Sequence, residues 1–180
     1  MFGPVLTGTA VTLRPPDDSD PARFVEWLSD MEVTRYLGSA MGRALFEEEE
    51  WFKSAGESKD AVHWVIEAGG RTIGSTGIFG IDWLNAHGQT GTLIGDKSAW
   101  HKGYGSEVML IRTEYAFREL NLHKLTTSVF MENEPSKRGL RKVGYREIGV
   151  EREHFFRDGR WHDHWLAEVL RADWERAQRG

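Results

Sequence analysis

The sequence predicts an α/β or α+β fold built on a single mixed sheet. Segments with the two-residue alternation of strands are interspersed with segments that have the apolar spacing of helices. Their order is a hairpin, then a strand-helix-strand crossover, then a second hairpin, which neither an all-helical nor an all-β fold produces. With 180 residues, and at about 150 residues per domain, we expect one domain over residues 1–180.

The composition is that of a globular protein and excludes several classes. The absence of cysteine excludes disulfide scaffolds, thiol catalysis and cysteine-ligated zinc. The 23 basic and 28 acidic residues give a net charge of −5, which argues against a general nucleic-acid-binding protein. No apolar run approaches the about 20 residues that span a membrane, and the start does not resemble a secretory signal. We therefore expect a cytoplasmic protein without a membrane partner.

The first third of the chain is predicted to contain one strand and two helices. Residues 11–14 alternate as a short strand does. Asp20 is the predicted N-cap of the first helix, with Pro21 at its first position. A second helix is predicted over residues 45–56. Its acidic run, residues 47–50, is interpreted as a solvated first turn, and attraction of a cationic substrate is the alternative.

The middle of the chain is predicted to form three strands. The alternation that begins at Val62 indicates the first, and a glycine-containing turn at 68–70 leads into a second over 71–80. A third strand is predicted over 89–95, after a loop at 81–88.

The rest of the chain is predicted to contain a crossover and a hairpin. The crossover is expected because a helix separates two strands, and the hairpin because an Asp-Gly pair lies between two alternating segments. The predicted elements are a helix at 104–119, a strand at 124–130, a helix beginning near Pro135, and strands at 145–156 and 161–170 joined by the turn 157–160.

The glycine-containing turn before the central helix points most directly to chemistry. It runs from an apolar strand through Gly103 and Gly105 into the helix. Such a helix N-terminus presents unpaired N–H groups and a positive dipole end, so it can hold a pyrophosphate. His101 and Lys102 would add charge, although a tight turn without a ligand needs the same glycines. A dinucleotide-binding fingerprint is unlikely because Val108 stands where it has its third glycine.

With its flanks, this segment resembles the Gcn5-related N-acetyltransferases (GNAT), specifically their Rim-type branch of ribosomal-protein and small-amine acetyltransferases. The family loop Gln/Arg-x-x-Gly-x-Gly/Ala matches at Gly103 and Gly105, with Trp100 in the first place. The segment from Asn133 to Tyr145 is similar to the family's Asn-x-x-Ser/Ala helix that ends in Lys-x-Gly-Phe. Further segments that resemble this branch are residues 13–15, 32–37 and 157–163.

The resemblance implies a mostly antiparallel twisted sheet with helices on both faces and a splayed pair of parallel strands. Acetyl-CoA, the implied cosubstrate, would lie in the V-shaped opening between 89–95 and 124–130. An opened sheet leaves backbone groups that an amide-bearing pantetheine arm can bind. The implied coenzyme-binding residues are Leu93, Ile94, His101, Lys102, Gly103, Tyr104, Gly105, Ser106, Asn133, Ser136 and Lys142.

The resemblance also implies catalytic roles, with two departures. Asn133 and Ser136 would approach the thioester, and Ser136 would give a proton or hydrogen bond to the departing sulfur. From the sequence alone, both could instead serve the N-terminus of their helix. Leu140 stands where many relatives have a Tyr acid, and Gln89 where many have a Glu. A Gln cannot take a proton, so the family's general base cannot be transferred to this chain.

Other acidic residues are candidate bases. Asp82 would lie at the substrate mouth if the family layout holds, and it is predicted as catalytic; Glu151 and Glu153 share one predicted strand face. Without a strong base, amines of low pKa are favoured. An alkylamine with a pKa of about 10.4 is neutral only about once in a thousand molecules at pH 7.4, whereas α-amines have pKa values of about 8.

Three histidines are expected on one face of the last hairpin. His154 is predicted to lie roughly opposite His162, with His164 two residues further on. Together they could bind zinc or act as a base. A polar sheet face is the simpler interpretation, so no metal is predicted.

The sequence therefore predicts an acetyl-CoA-dependent N-acetyltransferase in which a bound amine attacks the thioester directly in a ternary complex. Backbone N–H groups near Ile94 would stabilise the oxyanion. The acceptor is expected to be a small-molecule amine or a protein or peptide N-terminus, and a homodimer is compatible with the sequence. The alternative is a catalytically inactive acetyl-CoA-binding sensor or partner-binding module, which Leu140 and Gln89 favour.

Overall fold

The computed structural model describes residues 1–39 and 41–178. Its strands are β1 (Leu6–Thr7), β2 (Thr12–Arg14), β3 (Val62–Ala68), β4 (Arg71–Asp82), β5 (His87–Ile94), β6 (Lys124–Phe130), β7 (Arg146–Arg157) and β8 (Arg160–Leu170). Its helices are α1 (Asp20–Leu28), α2 (Leu45–Glu57), α3 (Tyr104–Arg118), α4 (Glu134–Val143) and α5 (Arg171–Ala177), with single 3₁₀ turns at Thr34–Tyr36 and Lys97–Ala99. The predicted α/β class is confirmed.

One eight-stranded sheet organises these elements, in the order β1-β2-β3-β4-β5-β6-β8-β7. Neighbouring strands are antiparallel except for β5 and β6, which are parallel and joined by the α3 crossover. Their ladder ends at Gln89 and Thr126, although both strands continue for several residues. At the divergence, Thr127 Oγ1 donates to Thr90 O and Thr90 Oγ1 donates to Thr126 O, both at 3.1 Å. The predicted splayed pair is thereby confirmed.

Apolar side chains cover both faces of the sheet. The larger core cluster packs the strands against α3, α4 and α5 through residues such as Trp165 and Phe117. A smaller cluster of Phe24, Trp27 and Val65 lies beneath α1 and α2. None of the helices in the described residues is long and apolar enough to cross a membrane.

The predicted elements are present, with shifted boundaries and two additions. β4 and β5 extend two residues into the predicted loop, so only residues 83–86 connect them. The hairpin turn has Asp158 and Gly159 at positive φ angles of 49° and 73°, as a two-residue turn between twisted strands requires. The two-residue strand β1 and the seven-residue helix α5 were not predicted.

The prediction of Asp20 as a helix N-cap is wrong. Ser19 occupies the N-cap position, and Asp20 is the first helical residue. The buried Asp20 carboxylate accepts hydrogen bonds from both terminal nitrogens of Arg14, at 2.8 and 3.0 Å. A bidentate ion pair binds this carboxylate more strongly than helix N–H groups do, which explains its orientation.

The prediction that the acidic run is solvated is wrong at Glu48. Glu47 caps the first turn of α2 by accepting from the Ala44 N–H, whereas Glu48 is buried. Burial raises the pKa of Glu48, and Arg43, with its Nε 3.8 Å from Oε2, opposes this effect. The side chain lines a cavity of about 220 Å³ beneath α2, beside Leu93 of β5.

Candidate functional site

A cavity of about 190 Å³ lies where β5 and β6 diverge. Because successive strand residues face opposite sides, its walls come from both faces of the sheet. Residues on the α3 and α4 side are Thr90, Thr92, Thr127, Met109, Arg112, Asn133, Ser136 and Leu140. Residues on the opposite side are Tyr36, Ser128, Phe130, Phe155 and His164.

The glycine-containing turn before α3 has two residues in the left-handed region of the backbone. Gly103 is the N-cap, with a φ of 85°, and His101 is also left-handed, with a φ of 62°. Since Gly103 has no side chain, it contributes no capping oxygen to the first turn of the helix. His101 and Lys102 are exposed, and Tyr104 packs against the core. The turn therefore combines a helix N-terminus with two exposed basic side chains.

The end of β5 and the first turn of α3 bring together the other predicted coenzyme residues. Leu93 and Ile94 lie beyond the parallel ladder, and the Trp100 indole N–H donates to Ile94 O at 2.8 Å. A Cβ added at Gly105 would come no closer than 4.0 Å to the Ile94 side chain, so the helix surface there is open. The Ser106 N–H donates to the N-cap carbonyl at 3.1 Å.

The N-terminus of α4 contributes Asn133 and Ser136 to the cavity. Asn133 is the N-cap of α4, and its Oδ1 accepts from the Ser136 N–H at 3.3 Å. Leu140 lines the same wall and is 2% exposed, so the position of the family's Tyr is apolar here. Lys142 is exposed on α4 and lies outside the residues that line this cavity.

Asp82 lies apart from these residues, at the closed end of the divergence. It pairs with His87 at the start of β5, whereas Ile94 ends that strand. Asn85 donates to its carboxylate through both the side chain, at 2.7 Å, and the backbone N–H, at 2.8 Å. These hydrogen bonds lower the pKa of Asp82, which makes it a weaker base. Gln89, on the last rung of the ladder, is exposed.

The last hairpin differs from the predicted register. Glu151 lies opposite His164 and Phe155 opposite His162, so the three β7 residues 152–154 lie against one β8 residue, Asp163. This bulge contains a residue at positive φ, Glu153 at 51°. The prediction that His154 lies opposite His162 is wrong, because the two-residue turn pairs Arg157 with Arg160 and thereby sets Phe155 opposite His162.

The bulge instead brings His154 to His164. Their ring centroids are 4.9 Å apart, and His154 Nδ1 lies 3.4 Å from Glu151 Oε2. One donor atom from each of Glu151, His154 and His164 lies within 4.8 Å of the other two, so this trio could hold a metal ion. His162 bonds elsewhere, with its Nδ1 2.8 Å from Glu132 Oε1.

Arg112 is a buried cation beside the cavity that the sequence reasoning missed. Its Nη1 donates to Thr76 Oγ1 and Gly91 O at 2.7 Å and to Thr92 Oγ1 at 2.8 Å. Burial lowers the pKa of Arg112, yet a guanidinium keeps its proton at neutral pH. The signal for it was its spacing of three and four residues from Met109 and Val108, which predicts the buried side of α3.

The comparisons with known proteins agree on one family. A sequence model described as "Acetyltransferase (GNAT) domain" matches residues 10–146. The chain is 29% identical over 168 residues to the uncharacterized N-acetyltransferase YoaA of Bacillus subtilis, covering 91% of this chain and 94% of that protein.

Solved structures show the same fold. A spermidine N-acetyltransferase from Vibrio cholerae, in complex with CoA and spermine, aligns with a TM-score of 0.86 at 21% identity, over 93% of this chain and 99% of that one. RimJ from Mycobacterium smegmatis, in complex with CoA-disulfide, aligns with a TM-score of 0.80 at 21% identity, over 90% and 82%. The family match includes the diverging strands, the glycine-containing turn and α4.

Proposed function

Because this chain belongs to the GNAT family of acetyltransferases, we propose that it transfers the acetyl group of acetyl-CoA to an amine by direct attack in a ternary complex. The observation that carries the proposal is the end of the β5–β6 ladder at Gln89 and Thr126, with a cavity beyond it. Backbone groups on the facing strand edges need partners, and an extended arm with amide groups can provide them.

The residues around the divergence fit acetyl-CoA as a substrate. The first turn of α3, with His101 and Lys102 exposed beside it, suits a pyrophosphate. Leu93 and Ile94 lie on the β5 edge available to the pantetheine arm. Asn133 and Ser136, which line the cavity, would contact the thioester end.

The transfer replaces the C–S bond of the thioester with a C–N bond. The amine nitrogen attacks the carbonyl carbon, the new C–N bond forms, and the C–S bond breaks with its electron pair on sulfur. A thiol with a pKa near about 8.5 leaves readily as a thiolate. The Ser136 hydroxyl would donate a hydrogen bond to that sulfur, a role that Leu140 cannot perform.

The far side of the cavity suits a cationic acceptor. The aromatic rings of Tyr36, Phe130 and Phe155 line it, and the carboxylates of Glu132 and Glu151 lie near the His162 and His154 rings. Aromatic faces and carboxylates both attract ammonium groups. The spermine bound to the V. cholerae enzyme supports including polyamines among the acceptors to be tested.

An acetyl-transfer screen over peptide N-termini, polyamines and aminoglycosides tests the proposal. We expect turnover with at least one class, and a fall of roughly 10- to 100-fold for Ser136→Ala, which removes one hydrogen bond but not the positioning of the reactants. Tight acetyl-CoA binding by calorimetry without turnover of any acceptor would favour the inactive coenzyme-binding module instead.

A further inference from the structure

One buried titratable side chain lines the acceptor side of the cavity and has no role in the reaction as described so far. We infer that His164 is the general base of the transfer and takes the proton of the acceptor amine at Nε2. This inference rests on the proposed function, and it assigns a residue to the proton-accepting step that Gln89 cannot perform.

The two ring nitrogens of His164 have different surroundings, and only Nδ1 has a hydrogen-bond partner among the described residues. The side chain is only 6% exposed, and Nδ1 lies 2.5 Å from Ser128 Oγ. Within residues 1–39 and 41–178, Nε2 is buried without a hydrogen-bond partner. Buried polar atoms without partners are rare in proteins. When Nδ1–H donates to the Ser128 oxygen, Nε2 keeps its lone pair and can accept a proton.

Aromatic rings hold the imidazole in place. Its centroid lies 4.6 Å from the rings of both Phe130 and Phe155, and the bulge in β7 brings His154 against it. Phe130, Phe155 and His164 all line the cavity. Ser128 is then a positioning residue, since its hydroxyl holds Nδ1 of His164 without touching the reacting atoms.

The charges around His164 favour its neutral form. Burial lowers the pKa of His164 and the neighbouring His154 lowers it further, whereas Glu151 and Glu132 oppose both effects. Those groups come from β7 and from the segment after β6, the elements that pack against the ring. The lowered pKa favours the uncharged ring, the form that a base needs before it accepts a proton.

The proton transfer completes the reaction above. His164 Nε2 first takes one proton from the bound ammonium group, which frees the nitrogen lone pair to attack the carbonyl carbon. Once the C–N bond has formed, the second N–H proton is lost to solvent, and the C–S electron pair remains on sulfur. The imidazolium then gives its proton to solvent, and the thiolate takes one from solvent. No oxidant, metal or further reactant is needed.

A pH profile at saturating acetyl-CoA tests this assignment, with spermidine and a short peptide bearing a free α-amine as acceptors. We expect the wild-type rate to rise through a pKa below 6.5 and then level off, because a base works once it is deprotonated. In His164→Gln, turnover at pH 7 should fall about 100-fold or more, with the acetyl-CoA Kd unchanged. Its rate should then rise with pH toward the amine's own pKa.

His162→Gln is the matched control, since His162 is as buried and lies on the same strand but bonds Glu132. It should keep the wild-type profile shape, and Ser128→Ala should lower kcat with little change in KM. Equal profiles for wild type and His164→Gln would overturn the inference while leaving the proposed function intact.

A second measurement does not depend on turnover. Nitrogen NMR of the labelled protein, with His164→Gln used for assignment, should show a neutral ring protonated at Nδ1 at pH 7. A ring protonated at Nε2, or charged, contradicts the inference whatever the kinetics. The Nδ1–H tautomer in a wild type that turns over no acceptor of the screen above would instead count against the proposed function, and the inference would fall with it.

Discussion

Buried charges in this protein are satisfied to very different degrees. Asp20 has the bidentate partner Arg14, whereas Arg112 bonds only hydroxyls and a carbonyl. Glu48 has Arg43 nearby, but within the described residues its Oε2 accepts no hydrogen bond. Such a group destabilises the fold because water no longer solvates it. Because Glu48 lines a cavity wall, a conservative substitution at this position can measure the destabilisation.

We expect Glu48→Gln to raise the free energy of unfolding at pH 7 by about 1 kcal/mol, the scale of one unsatisfied buried group. Burial raises the pKa of Glu48 above its ordinary value of 4.5, so the unfolded chain ionises first as the pH rises. The wild type therefore loses stability relative to the variant as the pH rises from 4.5 through the folded-state pKa.

Urea unfolding of both proteins between pH 4 and pH 8 measures this difference. Glu49→Gln, an exposed neighbour on the same helix, is the matched control. A gain for Glu48→Gln that stays constant at all these pH values would show that ionisation of Glu48 is not the cause.

Gly105 lies in the turn that we propose binds the pyrophosphate of acetyl-CoA. Gly105→Glu adds bulk and negative charge where a pyrophosphate would approach the helix N-terminus, so acetyl-CoA binding should weaken at least tenfold, about 1.4 kcal/mol. Calorimetry measures the affinity. Gly105→Ala controls for the helix, since a Cβ there meets nothing closer than 4.0 Å. Unchanged affinity in a folded Gly105→Glu protein would remove this turn from the coenzyme site.

At the scale of elements, the spacing of apolar residues predicted the strands and helices that have a regular apolar pattern. The alternation beginning at Val62 located β3, because Val62, Trp64 and Ile66 pack together into the larger core cluster. Helix α5 was missed because it is seven residues long and buries only Trp174, too few for a helical pattern. The bulge in β7 was missed because its left-handed residue is Glu153, and no glycine marks the position.

The candidate site was predictable only where a local motif specifies it. The turn at Gly103 and the cap at Asn133 depend on residues a few positions apart, and they are present as helix N-termini. The wall formed by His164, Ser128 and Phe155 depends instead on the register of three strands. A shift of that register changes which side chains meet, so the sequence pattern could not identify this wall.

The contact between α3 and the sheet is expected to depend on Arg112. Its guanidinium joins Thr76 of β4 to Gly91 and Thr92 of β5, which holds the edge of the divergence. We expect Arg112→Met, which fills similar space without the three hydrogen bonds, to weaken acetyl-CoA binding about tenfold, or 1.4 kcal/mol. Calorimetry tests this, and Arg118→Met, an exposed position on the same helix, is the control.

The hairpin trio of Glu151, His154 and His164 makes a prediction about metal. If His164 Nε2 must remain free for a proton, the purified protein should not retain stoichiometric zinc, and a chelator should leave its melting temperature unchanged. Elemental analysis and thermal unfolding measure both. About one zinc per chain would contradict this prediction and the role assigned to His164.

On the scale of the whole molecule, the sheet separates two chemical environments. The α3 and α4 side supplies helix N-termini and hydroxyls, and the opposite side supplies aromatic rings, carboxylates and histidines. The cavity connects them because its walls include side chains from both faces. The sheet would thus hold the proposed coenzyme side and the proposed acceptor side in fixed relation, with the reacting atoms expected between them.

This two-sided cavity has a consequence for the order in which the substrates bind. If each substrate arrives from its own side, neither blocks the entry of the other, and no covalent acetyl-enzyme has to form before the amine enters. Initial rates measured over a grid of both concentrations should therefore give intersecting double-reciprocal lines, and each product should inhibit in the pattern of a sequential mechanism. Parallel lines would mean that the first product leaves before the second substrate binds.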